Sequence, residues 1–385
     1  MESKISFIGE LKTVFKDESA LYWDFIPEQD KIFHREEQLN FLMNIFHRQF
    51  LKSKNPTNAI LYGRPGTGKT MLAKFFVDKV KKMGQDKFDV LYISCKNYPS
   101  EYDILKLVIG KFLNLKYRGT QLPVYWEELR NYLVVSSKKM LFVLDEIDQL
   151  KDPDEFIFKL NRINEEVRAV SIILITNNLG FMSLLNPRTL STFTPEELMF
   201  QPYNALQLQD ILKSRAMLAF NEDALVPGVV EKCSALTAQE HGDARRALDL
   251  LRISGEIADH EKSDKIIIDY IDMAEEKLDV DKIINNVKSL PKQAQVVLSS
   301  IINSKSNRIT TSDVYNSYRS LCNQYGIKTL TERWVRNLIA ELDLTGIIDT
   351  KNVYQGRYGR KLEISLGISD HTLQKIKSIL NETFL

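Results

Sequence analysis

The chain has 385 residues, of which 44% are hydrophobic, and its 52 basic residues nearly balance its 51 acidic ones. This length exceeds one ordinary domain and predicts two or three, each large enough to bury a core. No run of 18 apolar residues occurs, and the polar start has no signal-peptide pattern. We therefore expect a cytoplasmic protein that has no membrane partner.

The three cysteines, Cys95, Cys233 and Cys322, lie far apart in the sequence. Their spacing matches neither a disulfide framework nor the paired cysteines of a zinc site. We expect three buried, reduced thiols, as is usual for cytosolic proteins.

The charges are unevenly distributed along the chain. Residues 286–385 contain 14 basic and 8 acidic side chains, whereas the remainder has an excess of acidic ones. We therefore expect a polyanion such as nucleic acid to bind the C-terminal part first.

Short apolar runs alternate with longer amphipathic stretches over the first two hundred residues. The five runs are Ala59–Tyr62, Val90–Ser94, Met140–Leu144, Ser171–Thr176 and Leu198–Phe200. Runs of this length without polar alternation are typical of strands buried on both faces of a parallel sheet. We predict an α/β core over residues 1–204, with flanking helices and with ligands at the carboxyl ends of the strands.

A glycine-rich segment follows the first run and has the sequence Gly63-Arg64-Pro65-Gly66-Thr67-Gly68-Lys69-Thr70. It fits the P-loop pattern GxxxxGK[ST] at every position, and an amphipathic helix pattern follows it. The glycines allow backbone N–H groups from Gly66 to Thr70 to surround phosphate oxygens at the start of that helix. We predict that Lys69 contacts the β- and γ-phosphates and that the Thr70 hydroxyl is a ligand of Mg²⁺. The expected cofactors are ATP or ADP with Mg²⁺.

Polar residues follow the third and fourth apolar runs. Asp145 comes directly after the third run, which places it near the metal as a second Mg²⁺ ligand, and Glu146 is placed to polarise an attacking water. Asn177 follows the fourth run, where its amide can orient that water or contact the γ-phosphate, although a simple turn residue is the alternative interpretation. With Lys69, these residues predict an ATPase.

The strand patterns stop after Asn204. Helical patterns over Leu208–Phe220, Val229–Thr237 and Ala244–Ile257 predict a small helical domain at residues 205–284. We interpret Asp281–Ser289 as a connector, and we expect Ser289 to cap the next helix with Pro291 in its first turn.

Residues 285–385 show three helical patterns and then a hairpin pattern. Thr331 is the expected cap of the third helix, whose polar face presents Arg333, Arg336 and Asn337 near its N-terminal end. Helix-turn-helix proteins place their base-contacting residues at this position. The predicted architecture is therefore a winged helix-turn-helix domain.

The predicted hairpin has a glycine-rich, basic tip. Arg357, Arg360 and Lys361 suit phosphates or a minor groove, and Tyr358 can pack on a sugar. Double-stranded DNA is the expected partner. The alternative is a winged domain that binds proteins, with a tip that is merely solvated.

Several segments together are typical of one protein family. Besides the P-loop, they are Phe33–Leu39, Leu144–Asp148, Pro202–Ala205, Leu208–Phe220 and His241–Arg252. The chain resembles the archaeal origin-recognition and cell-division-control initiators, which are AAA+ ATPases. The resemblance covers nearly the whole chain.

The resemblance implies roles for further residues. Arg245 would be the sensor-2 arginine that reaches the phosphates from the helical domain, and Asn177 would be sensor 1. Tyr203 and Arg215 match positions that contact nucleotide, and residues 26–36 would form a wall beside the adenine. Arg118, in the Lys116–Thr120 segment, would lie in an insertion that contacts DNA.

Three more arginines, Arg188, Arg246 and Arg252, differ in their expected roles. Arg188 lies where such ATPases often place an arginine that reaches a neighbour's nucleotide, but the residues after it depart from the usual pattern. We interpret Arg246 and Arg252 as solvated or ion-paired surface residues.

The function that the resemblance implies is binding to origin duplex DNA and recruitment of the replicative helicase, with slow ATP hydrolysis as a switch, in association with the nucleoid. A paralogous initiator on adjacent DNA is a further partner to consider. One alternative is a clamp-loader-type or remodelling ATPase that uses the winged helix to bind proteins. Another is a transcription regulator with an AAA+ core.

Overall fold

The computed structural model describes residues 13–25, 32–47, 57–83, 88–113, 121–136, 138–304, 309–354 and 360–384. The chain divides into two compact units, Met1–Ile271 and Asp272–Leu385. Among the described residues, no helix is both long enough and apolar enough to span a bilayer.

A five-stranded parallel sheet forms the centre of the first unit. Its strands are β1 (Ala59–Gly63), β2 (Phe88–Ser94), β3 (Lys139–Asp145), β4 (Val170–Thr176) and β5 (Glu196–Phe200). They lie in the order β2-β3-β4-β1-β5, and all neighbours are parallel. Every residue of β4 is buried, which explains why its sequence is apolar without alternation. The five predicted strands are confirmed.

Helices cover both faces of this sheet. They are α1 (Glu36–Phe46), α2 (Lys69–Met83), α3 (Glu101–Phe112), α4 (Leu122–Ser136), α5 (Pro153–Val167) and α6 (Pro187–Thr192). Phe142 of β3 packs into a cluster with α3, α4 and α5 on one face, and Val143 packs with α1 and α2 on the other. Because the strands are parallel, their carboxyl ends meet at one edge.

Three helices follow the sheet and form the lid: α7 (Ala205–Ala219), α8 (Val229–Glu240) and α9 (Ala244–His260). Asn204 begins α7 with a reciprocal capping box to Gln207. Asp243 caps α9 by accepting the N–H of Arg245. The helical patterns predicted after the sheet are therefore confirmed.

An N-terminal strap, residues 13–25, lies along the lid. Arg215 of α7 donates from Nη1 to the Ala20 carbonyl at 2.9 Å and from Nη2 to the Phe25 carbonyl at 2.8 Å. The guanidinium is buried, and this burial lowers the pKa of Arg215 to about 10. Arg215 thus holds the strap against the lid through its backbone.

The remaining elements form the C-terminal part of the chain. They are α10 (Ile268–Ser289), α11 (Lys292–Ile302), β6 (Ile309–Thr310), α12 (Thr311–Tyr325), α13 (Glu332–Leu344), β7 (Ile348–Tyr354), β8 (Arg360–Leu366) and α14 (Asp370–Phe384). The three strands form an antiparallel sheet in the order β6-β8-β7. The helices α11, α12 and α13 followed by the β7–β8 hairpin are the predicted winged helix-turn-helix.

Local details differ from the prediction at the start of this domain. Asp281–Ser289 is the last part of the long helix α10 rather than a separate connector. Ser289 does not cap α11. Instead, Pro291 occupies the N-cap position of α11. Proline has no N–H, so it cannot continue the preceding helix α10. The helix α14 was not predicted.

Replacement of Arg215 by Met should release the strap. Two hydrogen bonds from a charged donor contribute about 1.5–3 kcal/mol each, so residues 13–25 should open more often. We expect trypsin to cleave the native protein after Lys16 at least about tenfold faster, as measured by mass spectrometry.

The matched control is Arg246→Met, which removes the same kind of side chain from the lid at a position whose described ion pair is with Glu240, at 2.7 Å. Equal cleavage rates in the two variants would show that Arg215 does not hold the strap.

Candidate functional site

The carboxyl edge of the sheet opens into a cleft that the lid and the strap line on the other side. The cleft contains about 1300 Å³ of empty space, including its open mouth. It brings together every residue that the sequence assigned individually to nucleotide or metal: Gly66, Thr67, Gly68, Lys69, Thr70, Asp145, Glu146, Asn177, Tyr203, Arg215 and Arg245.

The P-loop adopts a backbone conformation that favours glycine. Gly66 has a φ of +71° and Gly68 a φ of +88°. A Cβ on Gly66 would lie 1.7 Å from an oxygen of Asp243, and a Cβ on Gly68 would lie 2.5 Å from the Tyr203 hydroxyl. Both glycines are therefore required by the backbone and by the close approach of residues that follow the sheet.

Lys69 begins α2 and is 5% exposed. Its Nζ donates to the carbonyls of Gly63 and Arg64, both at 2.8 Å. Burial, together with nearby Arg245, lowers the pKa of Lys69 to about 8, although Asp145 opposes the shift. A phosphate group in the cleft would stabilise this poorly solvated ammonium.

Asp145 ends β3 and is 4% exposed. Its Oδ2 accepts a hydrogen bond from the Tyr92 hydroxyl at 2.5 Å, and its Oδ1 accepts the Glu146 N–H at 2.9 Å. Burial and the neighbouring Asp145 raise the pKa of Tyr92, which therefore remains a donor. The carboxylate is held at the edge of the cleft by these two donors.

Glu146 has a φ of +54°, a left-handed conformation that is uncommon outside glycine and is found at functional sites. Its Oε2 accepts a hydrogen bond from the Ser94 hydroxyl at 3.3 Å. Ser94, like Tyr92, belongs to β2, so one strand supplies hydroxyls to both acidic residues. Sequence reasoning missed these two residues, because their hydroxyls lie in an apolar run with no recognisable motif.

The donor set of the cleft fits Mg²⁺. Thr70 and Asp145 both line it and offer oxygen ligands, which this hard cation prefers. Within the described ranges, no group of three or more histidine, cysteine or acidic side chains could hold a metal without other ligands. Mg²⁺ here would therefore be shared with the phosphates of a nucleotide, as is common for this ion.

Two predicted residues reach the cleft from different elements. Asn177 is exposed just after β4, where it lines the cleft. Arg245 is exposed at the start of α9, and its guanidinium lies 5.3 Å from the centroid of the Trp23 ring. A cation at a helix N-terminus is disfavoured by the helix dipole, so the aromatic ring of the strap helps to hold it there.

Arg35 is a further residue of the site that sequence reasoning did not single out. It is 4% exposed and donates to the carbonyls of Thr67 at 3.0 Å and Gln201 at 2.7 Å. Its guanidinium also lies 3.9 Å from the centroid of the Tyr203 ring. Burial lowers the pKa of Arg35. Arg35 thus joins the P-loop to the segment that leaves β5. Its sequence signals are its place in Phe33–Leu39 and in the 26–36 segment that the resemblance assigns to the adenine wall.

The other three arginines are ion-paired: the side chain of Arg188 is 53% exposed, and those of Arg246 and Arg252 are 18% and 19% exposed. Arg188 pairs with Glu155 at 2.6 Å and does not line the cleft. Arg246 pairs with Glu240, and Arg252 pairs with Glu256. These two pairs agree with the interpretation of Arg246 and Arg252 as ion-paired residues.

The second unit exposes the residues expected to read DNA. Arg333, Arg336 and Asn337 are exposed on α13, whereas Val335 and other apolar residues of this helix are buried. Arg336 donates to Glu332 at 2.9 Å. Trp334, which was not predicted, is 60% exposed beside them.

Some of the residues predicted to bind DNA fall outside the described part of the chain. Arg118, Arg357 and Tyr358 lie outside the described residues, as do the side chains of Arg360 and Lys361, whose backbone begins β8. The described part of the expected adenine wall begins at residue 32.

Three family models match the chain in succession. Residues 52–185 match an AAA domain, residues 209–276 a Cdc6 AAA+ ATPase-type lid domain, and residues 285–375 the C-terminal winged helix domain of CDC6. The matches follow the order of sheet, lid and winged domain.

Curated relatives match over nearly the full length. The ORC1-type DNA replication protein of Thermococcus onnurineus is 39% identical over 382 residues, which cover 95% of this chain and 91% of that protein. The ORC1-type DNA replication protein 1 of Methanosarcina acetivorans is 37% identical over 377 residues, covering 95% and 90%.

Solved structures agree with these matches. The Aeropyrum pernix ORC1 protein in complex with DNA has a TM-score of 0.77 and 33% identity, covering 97% of this chain and 98% of that one. Cdc6p from Pyrobaculum aerophilum, at 22% identity and a TM-score of 0.60 over 97% of this chain and all of that one, shares the fold. With its P-loop cleft, helical lid and winged helix, the chain belongs to the ORC1-type family of AAA+ DNA replication proteins.

Proposed function

We propose that the protein binds origin duplex DNA and uses ATP with Mg²⁺ as a switch in replication initiation. The observation that supports this most strongly is the gathering of the P-loop, the acidic pair and Arg245 around one cleft. Membership of the ORC1-type family and the DNA-bound ORC1 relative support the DNA-binding part. In this proposal, residues 1–204 bind the nucleotide, residues 205–284 respond to the bound nucleotide, and residues 285–385 bind DNA.

The cleft residues fit the binding and hydrolysis of ATP. Backbone N–H groups of the P-loop at the start of α2 would surround the phosphates, and Lys69 would neutralise them. Thr70 and Asp145 would hold Mg²⁺, which offsets negative charge on the phosphate oxygens. Glu146 would polarise the attacking water, and Asn177 would orient it.

A direct contact between P-loop and lid supports the switch. The Ala244 N–H of α9 donates to the Gly66 carbonyl at 3.2 Å, and Arg245 follows in the same turn. A γ-phosphate would draw the Arg245 guanidinium from Trp23 toward the cleft, and loss of that phosphate would release it. The lid would therefore respond to the difference between ATP and ADP.

The exposed face of α13 fits the major groove. Arg333, Arg336 and Asn337 would contact bases or phosphates there, and Trp334 offers a large apolar surface beside them. The wing tip would contact the minor groove or backbone, and the core insertion would add a further contact. The residues assigned to these two contacts are Arg357, Tyr358, Arg360, Lys361 and Arg118.

Wider roles follow from family membership. We propose that the DNA-bound protein helps to recruit the replicative helicase, and that a paralogous initiator on adjacent DNA is a partner. Association with the nucleoid would follow from binding to the origin.

ATP affinity should fall as the pH rises above about 8. The pKa of Lys69 lies near 8 without nucleotide, and contact with phosphate requires its ammonium form. Binding above this pH must therefore take up a proton, so affinity should fall up to about tenfold per pH unit. Calorimetry at pH 7, 8 and 9, in buffers of different ionisation enthalpy, measures both the affinity and the proton uptake.

The matched variant is Lys69→Arg, which keeps its charge over this range. Its affinity, whatever its absolute value, should lose the dependence on pH above 8. A wild-type protein whose affinity and proton uptake stay constant from pH 7 to 9 would contradict the role of Lys69.

Replacement of Arg336 by Ala should weaken the origin complex by about 1–3 kcal/mol, the value of a base-contacting arginine. Binding to a scrambled duplex of equal length should change less. Fluorescence anisotropy across a salt series measures both, and the salt slope estimates the number of neutralised phosphates.

Lys377→Ala is the matched control, because it removes an equal charge from an exposed position on α14. Equal losses in both variants, on both duplexes, would contradict base reading by α13. If the intact wild-type protein bound neither duplex, the winged domain would instead be a protein-binding module of a clamp-loader-type ATPase.

A further inference from the structure

One hydrogen bond connects β2 to the acidic end of β3. The Tyr92 hydroxyl donates to Asp145 Oδ2 at 2.5 Å. In the parallel register, Tyr92 lies opposite Val143, two residues before Asp145, so both side chains point to the same face of the sheet. A long side chain such as tyrosine can reach such a diagonal neighbour.

The bond matters because Asp145 is a buried carboxylate. A buried charge needs hydrogen-bond donors, and Asp145 receives one from Tyr92 and one from the backbone of Glu146. A carboxylate has about four acceptor sites, so these two donors leave others free for a metal or its waters. The donor on Oδ2 also restricts rotation of the carboxylate.

The tyrosine is itself held in place. The Lys74 ammonium lies 5.5 Å from the centroid of the Tyr92 ring. Lys74 belongs to α2, the helix that begins at the P-loop, and it lines the cleft. The orientation of Asp145 therefore depends on two elements that surround the phosphate site.

We propose that Tyr92 is a positioning residue that orients the Asp145 carboxylate for Mg²⁺ in the nucleotide cleft. This inference rests on the proposed function, in which Mg²⁺ accompanies ATP. Loss of a hydrogen-bond partner of a metal-binding side chain typically lowers metal affinity about 10–100-fold. The same loss should leave metal-free nucleotide binding unchanged, because Tyr92 does not line the cleft.

A second tyrosine on this sheet provides a matched control. The Tyr132 hydroxyl donates to Asp89 Oδ2, also at 2.5 Å. Asp89 lies near the beginning of β2, at the opposite end of the strand from the cleft, and neither residue lines the cleft. Tyr132→Phe thus removes the same kind of tyrosine–aspartate bond without touching the proposed metal site.

The test titrates Mg²⁺ into intact protein with a fluorescent ATP analogue and, in parallel, measures binding of the analogue in EDTA. Tyr92→Phe should raise the Mg²⁺ concentration for half-maximal binding at least about tenfold, with unchanged affinity in EDTA. Tyr132→Phe should match the wild type in both measurements.

An unchanged Mg²⁺ midpoint in Tyr92→Phe would overturn the proposal. An equal loss of affinity for the analogue in EDTA and in Mg²⁺ would also overturn it, because that result indicates a general structural role for Tyr92. Failure of the wild-type protein to bind the analogue at all would instead contradict the proposed function.

Discussion

Three glycines bring the P-loop and the entrance of the lid into direct contact. Asp243 occupies the space where Gly66 would carry a Cβ, and the Tyr203 hydroxyl occupies the corresponding space at Gly68. A Cβ on Gly242 would in turn lie 2.3 Å from the Tyr203 carbonyl. The Ala244 N–H of the lid also donates to the Gly66 carbonyl at 3.2 Å. Because side chains and backbone of the lid entrance contact the P-loop backbone directly, we expect movement of one to be coupled to movement of the other.

Arg35 adds a buried cation to this junction. Its described hydrogen-bond acceptors are backbone carbonyls, and its guanidinium packs on Tyr203. Burying a charge is costly, and such groups are often retained because they define one arrangement rather than because they stabilise the fold. Here the defined arrangement holds the P-loop, the end of β5 and the lid-entry tyrosine together around the phosphate site.

The local motifs of the chain were predictable, and its long-range contacts were not. The P-loop, Asp145 and the apolar strands are each encoded within a few residues, so the sheet and most of the cleft follow from the sequence. The roles of Arg35, Trp23 and Tyr92 depend on partners far away in the chain. A pattern within one segment contains no information about such partners.

The winged domain shows the same limits at a finer scale. The apolar periodicity of the sequence predicts its helices and hairpin. The exposed arginines of α13 lie on the polar face of that helix, opposite its apolar stripe. The predicted start of α11 was wrong. A serine shortly before a proline is a good helix cap by sequence, but here the preceding helix α10 extends to Ser289. Trp334 belongs to no motif in the sequence, so its exposure beside these arginines was not predicted.

Amide hydrogen exchange of the intact protein, with and without Mg²⁺ and ATP, tests the coupling of P-loop and lid most directly. The close contact of the glycines predicts that residues 63–70 and 242–248 become protected together when nucleotide binds, and that Arg35→Met weakens the protection of both segments. Protection of residues 63–70 with no change at 242–248 would contradict the coupling, because the nucleotide would then be bound without being sensed by the lid.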